Sequence, residues 1–339
     1  MNNKIKCVVW DLDETLWSGT LLENEEVKLK PSIKHILFEL DKRGILQSIA
    51  SKNDRQKVME KLKLFKIDHL FLYPEINWNP KSKSINNISE NLNINKESIL
   101  FIDDQDFERE EVKMAFPNVN LLDSEKYLEL LTDTRLIPNF ITDDGKRRRE
   151  MYVEESMRNI EESKYEGTPE EFLKSLDMKF VISEAKEEDL KRAEELTVRT
   201  NQLNATGKTY DYEELNNFRK SKKHLLLICD LEDRFGSYGK IGLALIEKEK
   251  DYWTIKLLLM SCRVMSRGVG TILLTCILEE AKKNVDKVYA DFKETNRNRM
   301  MYITYKFANF VENNSMLEND LSLIQKYPEY VSVKINELN

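Results

Sequence analysis

The stretch VVWDLDETLW, residues 8–17, sets Asp11 and Asp13 two positions apart, directly behind an apolar run. Burying like charges costs several kcal/mol unless something offsets it. Two chemistries offset it: a bound cation, or a reaction that needs one carboxylate ionised and the other holding a proton. Three more polar signals follow apolar runs. Ser51 closes ILQSIAS, Lys81 follows the loop INWNPK, and Asp103 and Asp104 close SILFIDD. A second group lies in LLLMSCRVMSRGVGTILL, residues 257–274, where Cys262, Arg263 and Arg267 precede Gly268 and Gly270. The N–H groups at a helix N-terminus attract phosphate, and a nearby cation favours a thiolate.

Elements must carry these residues to a common place. Over the first ~135 residues strands at 4–11, 45–51, 69–76, 98–104 and 118–123 alternate with helices at 31–44, 54–64, 82–92 and 107–115. That rhythm predicts a parallel, doubly wound sheet. In such sheets chemistry sits beyond the carboxyl ends of the strands, where Asp11, Ser51, Lys81 and Asp103 all fall. From residue 178 a second α/β pattern runs strand, two helices, three strands, helix, strand, helix. The expected organisation is a first domain at 1–135, a charged helical linker at 136–177 and a second domain at 178–339.

Composition narrows the classes. A net charge of −7 argues against broad nucleic-acid binding, which needs a basic face. The longest apolar runs, such as LLLIC at 225–229, are too short to span a membrane. The N-terminal MNNKIKCVVWDLDETLW turns acidic too early for a signal peptide, so a cytoplasmic protein is expected. The four cysteines, Cys7, Cys229, Cys262 and Cys276, form no CxxC pair, so neither a zinc site nor a redox motif is indicated.

The set Asp11-Leu12-Asp13-Glu14-Thr15, Ser51, Lys81 and Asp103-Asp104 resembles the haloacid-dehalogenase-like phosphotransferase superfamily. The resemblance implies that Asp11 attacks phosphorus. Asp13 then protonates the leaving oxygen and activates water. Asp11, the backbone carbonyl of Asp13 and Asp103 would hold Mg²⁺, with Asp104 direct or one shell out. Ser51 and Lys81 would hold the phosphate oxygens. The intervals 12–50 and 82–102 are too short for a cap domain. A cap-less site of this kind suits a large substrate or a covering partner.

The segment around Gly268 and Gly270 resembles the GNAT acyltransferase fold, with Met265 where that signature carries Arg or Gln. Taken whole, the chain resembles the FkbH-like family, a haloacid-dehalogenase-like domain fused to a GNAT-like one. The carriers are VVWDLDETLWSGTLLE, INWNPKSKSINNI, FIDDQDFEREEV, RTNQLNATG and MSCRVMSRGVG. Glu14 and the SGTLLE run depart from the family's usual Asn and GGVxGED-like segment. The implied fold is α/β: a cap-less, Rossmann-like parallel sheet followed by a GNAT-like domain. The implied activity is glyceryl transfer from 1,3-bisphosphoglycerate, through a thioester, onto the phosphopantetheine arm of an acyl carrier protein, with removal of the remaining phosphate, in polyketide-type biosynthesis.

Cys262 is the first candidate acyl acceptor and Cys7 the second. Cys229 and Cys276 read as core, and direct transfer to the carrier thiol remains open. Arg263, Arg267, Gly268 and Gly270 are expected at the pantetheine phosphate. Asn201 and Gln202, with Thr200 and Asn204, form either a plain turn or a contact to the pantetheine or glyceryl hydroxyls. The run Arg147-Arg148-Arg149 reads as a solvated helix face or a docking site for an acidic carrier. Trp10, Trp17 and Trp78 flank the motifs, as core or as pocket wall. A small-molecule phosphatase joined to a CoA-dependent N-acyltransferase is the alternative activity, and a non-catalytic scaffold the third reading.

Overall fold

A strand buried on both faces is typically a near-continuous apolar run, and CVVW and ILFI are two such runs at the centre of the first unit. The computed structural model describes residues 4–23, 26–200, 202–295, 298–313, 316–336 and 338. The chain divides into two compact units, Met1–Val153 and Glu154–Asn339.

In the first unit, β1 (Cys7–Trp10) is followed by a two-stranded ribbon, β2 (Trp17–Ser18) and β3 (Lys28–Leu29). Then come α1 (Ile33–Lys42), β4 (Leu46–Ser51), α2 (Arg55–Phe65), β5 (Glu75–Ile76) and α3 (Lys81–Asn91). The unit continues with β6 (Ile99–Asp103), α4 (Asp106–Ala115), β7 (Asn120–Asp123) and the short α5 (Asp143–Lys146). The main sheet has the order β5-β4-β1-β6-β7, and every pairing in it is parallel. Alternation sends Val8 and Trp10 to one apolar layer and Cys7 and Val9 to the other. The chain crosses from one side of β1 to the other, so β4, β1 and β6 open a crevice at their carboxyl ends.

The run HLFLYPEI at 69–76 departs from the expected strand. It forms one 3₁₀ turn at Asp68–Leu70, and only Glu75 and Ile76 join the sheet. Leu70, Phe71 and Leu72 are buried all the same, so the run's apolarity serves packing rather than a ladder. Tyr73 then turns the chain with a positive φ of 48°.

Helix α6 (Arg148–Lys164) spans the division between the units. The arginine run at its start is built into the first unit. Arg148 is buried and donates to the Gly44 carbonyl at 2.7 Å, and Arg149 pairs with Asp41 at 3.0 Å. Gly44 is required there: its φ is +69°, and a Cβ would lie 2.3 Å from Arg148 Nη1.

The second unit adds α7 (Pro169–Ser175), β8 (Met178–Glu184), α8 (Leu190–Arg199), α9 (Tyr212–Lys220), β9 (His224–Asp233), β10 (Gly236–Lys248) and β11 (Trp253–Met260). Then follow α10 (Val269–Lys282), β12 (Val288–Ala290), α11 (Arg299–Phe307), β13 (Val311–Asn313), β14 (Met316–Asn319) and β15 (Val331–Ile335). They form an eight-stranded mixed sheet, β13-β14-β12-β11-β10-β9-β8-β15. Leu226 and Ile228 of β9 face α8 and α9, whereas Leu225, Leu227 and Cys229 face the layer of α7, α10 and α11. The last three strands extend the expected pattern. Two of them add an edge beyond β12, and β15 pairs in parallel with β8 at the other edge. Among the described residues no helix is long and apolar enough to cross a membrane.

Candidate active site

Asp11 follows β1 by one residue, and its N–H is bonded to the Ile102 carbonyl of β6 at 2.9 Å. Asp103 ends β6 and Ser51 ends β4, the two strands flanking β1. Lys81 opens α3 behind Pro80, so its side chain enters from the helix N-terminus. Four residues far apart in the sequence therefore meet at the carboxyl end of the central strands. Oxygens of Asp11, Asp103 and Asp104 lie within 4.8 Å of one another, the one such group among the described residues.

Lys81 holds this cluster together. Its Nζ lies 2.5 Å from Asp11 Oδ1, 3.0 Å from Asp103 Oδ2 and 2.9 Å from Glu108 Oε2. It also donates to the Ala50 carbonyl at 2.8 Å. The side chain is only 2 % exposed. Burial opposes its charge, but three carboxylates outweigh that and push the ammonium's pKa up.

The carboxylates show the opposite strain. Burial pushes the Asp11 carboxyl up, against the pull of Lys81 and a hydrogen bond from Ser51. Asp103 is pushed up to about 7, by burial first and by the Asp11 charge second. Asp104 is raised as well, chiefly by burial. One ammonium does not balance this much buried negative charge. A donor set of three close carboxylate oxygens, short of positive charge, fits a hard divalent cation.

Other groups hold the frame. Thr15 Oγ1 accepts from the Asp104 N–H at 3.1 Å. The Gln105 N–H donates to Asp103 Oδ1 at 2.8 Å, and Arg109 Nη1 to the Asp103 carbonyl at 2.6 Å. Asp13 stands outside the cluster of three. Its carboxylate accepts from Trp17 Nε1 at 2.7 Å, the Leu21 N–H at 3.1 Å and Asn53 Nδ2 at 2.9 Å. Three donors fix its orientation beside Asp11. Trp10 and Trp17 are core residues, whereas Trp78 is 66 % exposed in the loop leading to Lys81.

The sequence reading did not pick out Glu108, Lys52 or Asn53. Glu108 bonds Lys81 through one oxygen and Lys52 through the other, at 2.7 Å. A signal was present: helical spacing from Asp104 places Glu108 and Glu111 on one face. The N-terminus of α3 binds that face, since both the Ser82 N–H and hydroxyl donate to Glu111.

In the second unit Cys262 opens a short 3₁₀ segment, Cys262–Arg267, that leads into α10. It is half-buried, whereas Cys7, Cys229 and Cys276 are buried. Burial pushes the thiols of Cys7 and Cys229 up and that of Cys276 up to about 12. Cys7 packs against core, so its place on the face of Asp11 does not expose it. Gly268 caps α10 with a φ of +71°, and a Cβ there would lie 2.3 Å from the Tyr330 hydroxyl.

Arg263 donates to the Tyr238 carbonyl at 2.9 Å. Arg267, expected at a phosphate, is turned inward: it is buried and lies 3.6 Å from Glu155 and 3.2 Å from Glu162. Gly270 packs near Thr304 and Met260. Asn201 lies outside the described residues, and Gln202 is half-buried. Asn204 builds the turn itself: its Oδ1 accepts from the N–H groups of Thr206 and Gly207 at 3.1 and 2.9 Å, and its Nδ2 donates to the Lys208 carbonyl at 3.0 Å.

Residues 14–115 match the family model of haloacid dehalogenase-like hydrolases. The match begins just past Asp13 and includes Ser51, Lys81, Asp103 and Asp104. Over those residues the first unit resembles hydrolases of that type, and the second unit is a mixed sheet. No curated protein matches the chain.

Among solved structures, the N-terminal part of BF1531 from Bacteroides fragilis, described as containing a phosphatase domain complexed with Mg, is 27% identical, with a TM-score of 0.35. That match covers 40% of this chain and 41% of the other, so the chain spans about two fifths of that relative. The ribosomal-protein-S18-alanine N-acetyltransferase from Escherichia coli is 15% identical, covering 43% of this chain and 97% of that one, TM-score 0.34. A HAD-superfamily hydrolase from Geobacter sulfurreducens is 14% identical, covering 38% and 95%, TM-score 0.32.

Proposed function

We propose that the protein is an enzyme that removes phosphate from a phosphorylated acyl substrate at Asp11 and passes the acyl group to a carrier thiol. The observation that carries this reading is Lys81, buried and bonded to both Asp11 and Asp103, with Asp104 beside them. Asp11 supplies the oxygen that bonds phosphorus while the ester oxygen leaves. Asp13, fixed beside it, gives that oxygen a proton and later takes one from water. Ser51 would donate to the phosphoryl oxygens as charge develops, and Lys81 would turn one of its carboxylate-bonded N–H groups toward them. Asp11, Asp103 and Asp104, with the Asp13 carbonyl, are the groups that would hold Mg²⁺, which neutralises phosphoryl charge when bound.

The finer reading is glyceryl transfer. The substrate is 1,3-bisphosphoglycerate and the acceptor the phosphopantetheine thiol of an acyl carrier protein, in a polyketide-type pathway. Attack of a cysteine thiolate on the acyl phosphate forms a thioester and releases phosphate. Thiol exchange then moves the glyceryl group to the carrier, and the 3-phosphate leaves at Asp11 by hydrolysis. Cys262 supports this step, being half-buried where the other three thiols are buried. The four cysteines form no disulfide, which suits the reducing cytoplasm. A CoA-dependent N-acyltransferase is the second reading, favoured by the glycine cap of α10, which follows β11 across the Cys262–Arg267 segment.

Mass spectrometry of a phosphopantetheinylated carrier incubated with enzyme, Mg²⁺ and 1,3-bisphosphoglycerate decides between them. A glyceryl increment is expected. Asp11→Asn leaves the phosphate on the product, and Cys262→Ala blocks loading. Acylation of an amine by acetyl-CoA, without carrier loading, overturns the transfer reading.

A further inference from the structure

Lys81 is saturated. Its three N–H donors face three carboxylates and the Ala50 carbonyl. Lys52 is not. It directly follows Ser51 at the carboxyl end of β4, where the crevice opens. Its partner among the described residues is Glu108 alone, through Oε1 at 2.7 Å, and its side chain is 37 % exposed. Glu108 is itself nearly buried and is anchored by its other oxygen to Lys81. That anchor fixes where Lys52 can be. The two ammonium groups hang from the two oxygens of one carboxylate, so they lie within roughly 8 Å of each other. A lysine with two donors to spare, held at the mouth of a phosphoryl site and not paired for its own sake, is placed to receive an anion.

We infer that Lys52 binds a second anionic group of the substrate, a carboxylate or a phosphate close to the phosphoryl group that Asp11 attacks. The inference rests on the phosphoryl-transfer reading of the Asp11 site and narrows it. The site takes a small phosphorylated acid or a bisphosphate in preference to a monoester with an uncharged tail. Lys52 is then a specificity residue, and Glu108 is the group that holds it.

The test uses two ligands that share a phosphate and differ in one charge: 3-phosphoglycerate, with a carboxylate, and glycerol 3-phosphate, without one. Calorimetric titration with Mg²⁺ is run on the full chain carrying Asp11→Asn, which prevents turnover, and on the same chain with Lys52→Met or Lys52→Arg added. The parent is expected to prefer 3-phosphoglycerate. Lys52→Met lowers that affinity by about tenfold or more and changes glycerol 3-phosphate by less than about twofold, the scale of one charged hydrogen bond. Lys52→Arg keeps most of the preference, which a merely structural role does not predict. Equal losses on both ligands, no loss on either, or no binding by the parent overturns the inference. The reading beneath it fails separately, if the unmutated chain and its Asp11→Asn variant hydrolyse p-nitrophenyl phosphate at the same rate.

Discussion

Replacing Lys81 by Met keeps the length of the side chain and removes the one ammonium bonded to Asp11, Asp103 and Glu108 alike. This ion pair is shielded from water: Lys81 is 2 % exposed and Asp103 1 %. Removing one partner of a buried ion pair costs about 3–5 kcal/mol, because the opposite charge stays behind. Proton uptake limits the loss, since the Asp103 carboxyl already titrates at about 7 and takes a proton once the ammonium is gone. A shift of about 2–4 °C per kcal/mol for a unit of this size puts the melting point of Met1–Val153 roughly 6–20 °C lower. Divalent cation acts on the same carboxylates, so saturating Mg²⁺ raises the variant's transition by at least as much as the wild type's. Differential scanning calorimetry of the full chain, in EDTA and in Mg²⁺, reads both effects. A Lys81→Met transition within about 2 °C of wild type in EDTA would refute the reasoning, because the carboxylates would then not depend on that ammonium.

The raised Asp103 pKa also sets a pH dependence. The folded value, about 7, lies above the ordinary 3.8 of the unfolded chain, so the proton stabilises the metal-free fold fully below about 3.8 and progressively less up to about 7. Cation binding competes with that proton, so Mg²⁺ affinity rises about tenfold per pH unit from pH 5 to 7 and levels off above it; titration calorimetry across that range checks this. Arg158, whose Nε and Nη2 donate to Asp233 at 2.7 and 2.9 Å in a buried pair, is the corresponding anchor of the second unit. Arg158→Met is expected to destabilise that unit by about 3–5 kcal/mol and to leave the proposed phosphate release at Asp11 unchanged, as urea unfolding and an ester assay report. Gly268→Ala forces a side chain into the left-handed region and against the Tyr330 hydroxyl. It costs about 1–2 kcal/mol for the backbone alone, and Tyr330→Phe recovers only the excess over that in a double-mutant cycle.

The sequence exposes some of this architecture and hides the rest for physical reasons. Asp11 and Asp103 stand out because β1 and β6 are apolar up to the end, where a polar residue breaks the run; Ser51 ends a strand that already carries Gln47 and Ser48. Glu108 and Lys52 pair at the same site without that contrast. Each sits among other charges, in FEREEV and SKND, in a chain that is 33% charged. Only the fold shows that Glu108 loses contact with water and that Lys52 is its partner. The edge strand β15 was hidden for a different reason. VSVKI is short and mostly exposed beyond Val331, and its partner β8 lies about 150 residues earlier in the chain. The run at 69–76 misleads in the opposite direction: burial without a ladder looks the same in sequence as burial with one.

The arginines make the same point about charge. Arg147–Arg149 suggested a free basic face, and Arg267 suggested a phosphate ligand. Arg148 instead fixes α6 to the turn at Gly44, and Arg267 pairs with Glu155 and Glu162 of the same helix. A guanidinium that is buried and paired is part of the frame, and moving it toward a ligand leaves carboxylates uncompensated. At the glycine turn before α10 the backbone N–H groups are what remain to meet an anion on the proposed reading, since Arg263 already donates to the Tyr238 carbonyl. On the proposed transfer reading, the ligand here is an arm tethered to a carrier and held largely by that carrier, rather than one gripped by its own phosphates. Free CoA binding tightly at this turn, at a Kd well below micromolar and unaffected by Arg263→Met, is the result that would count against it.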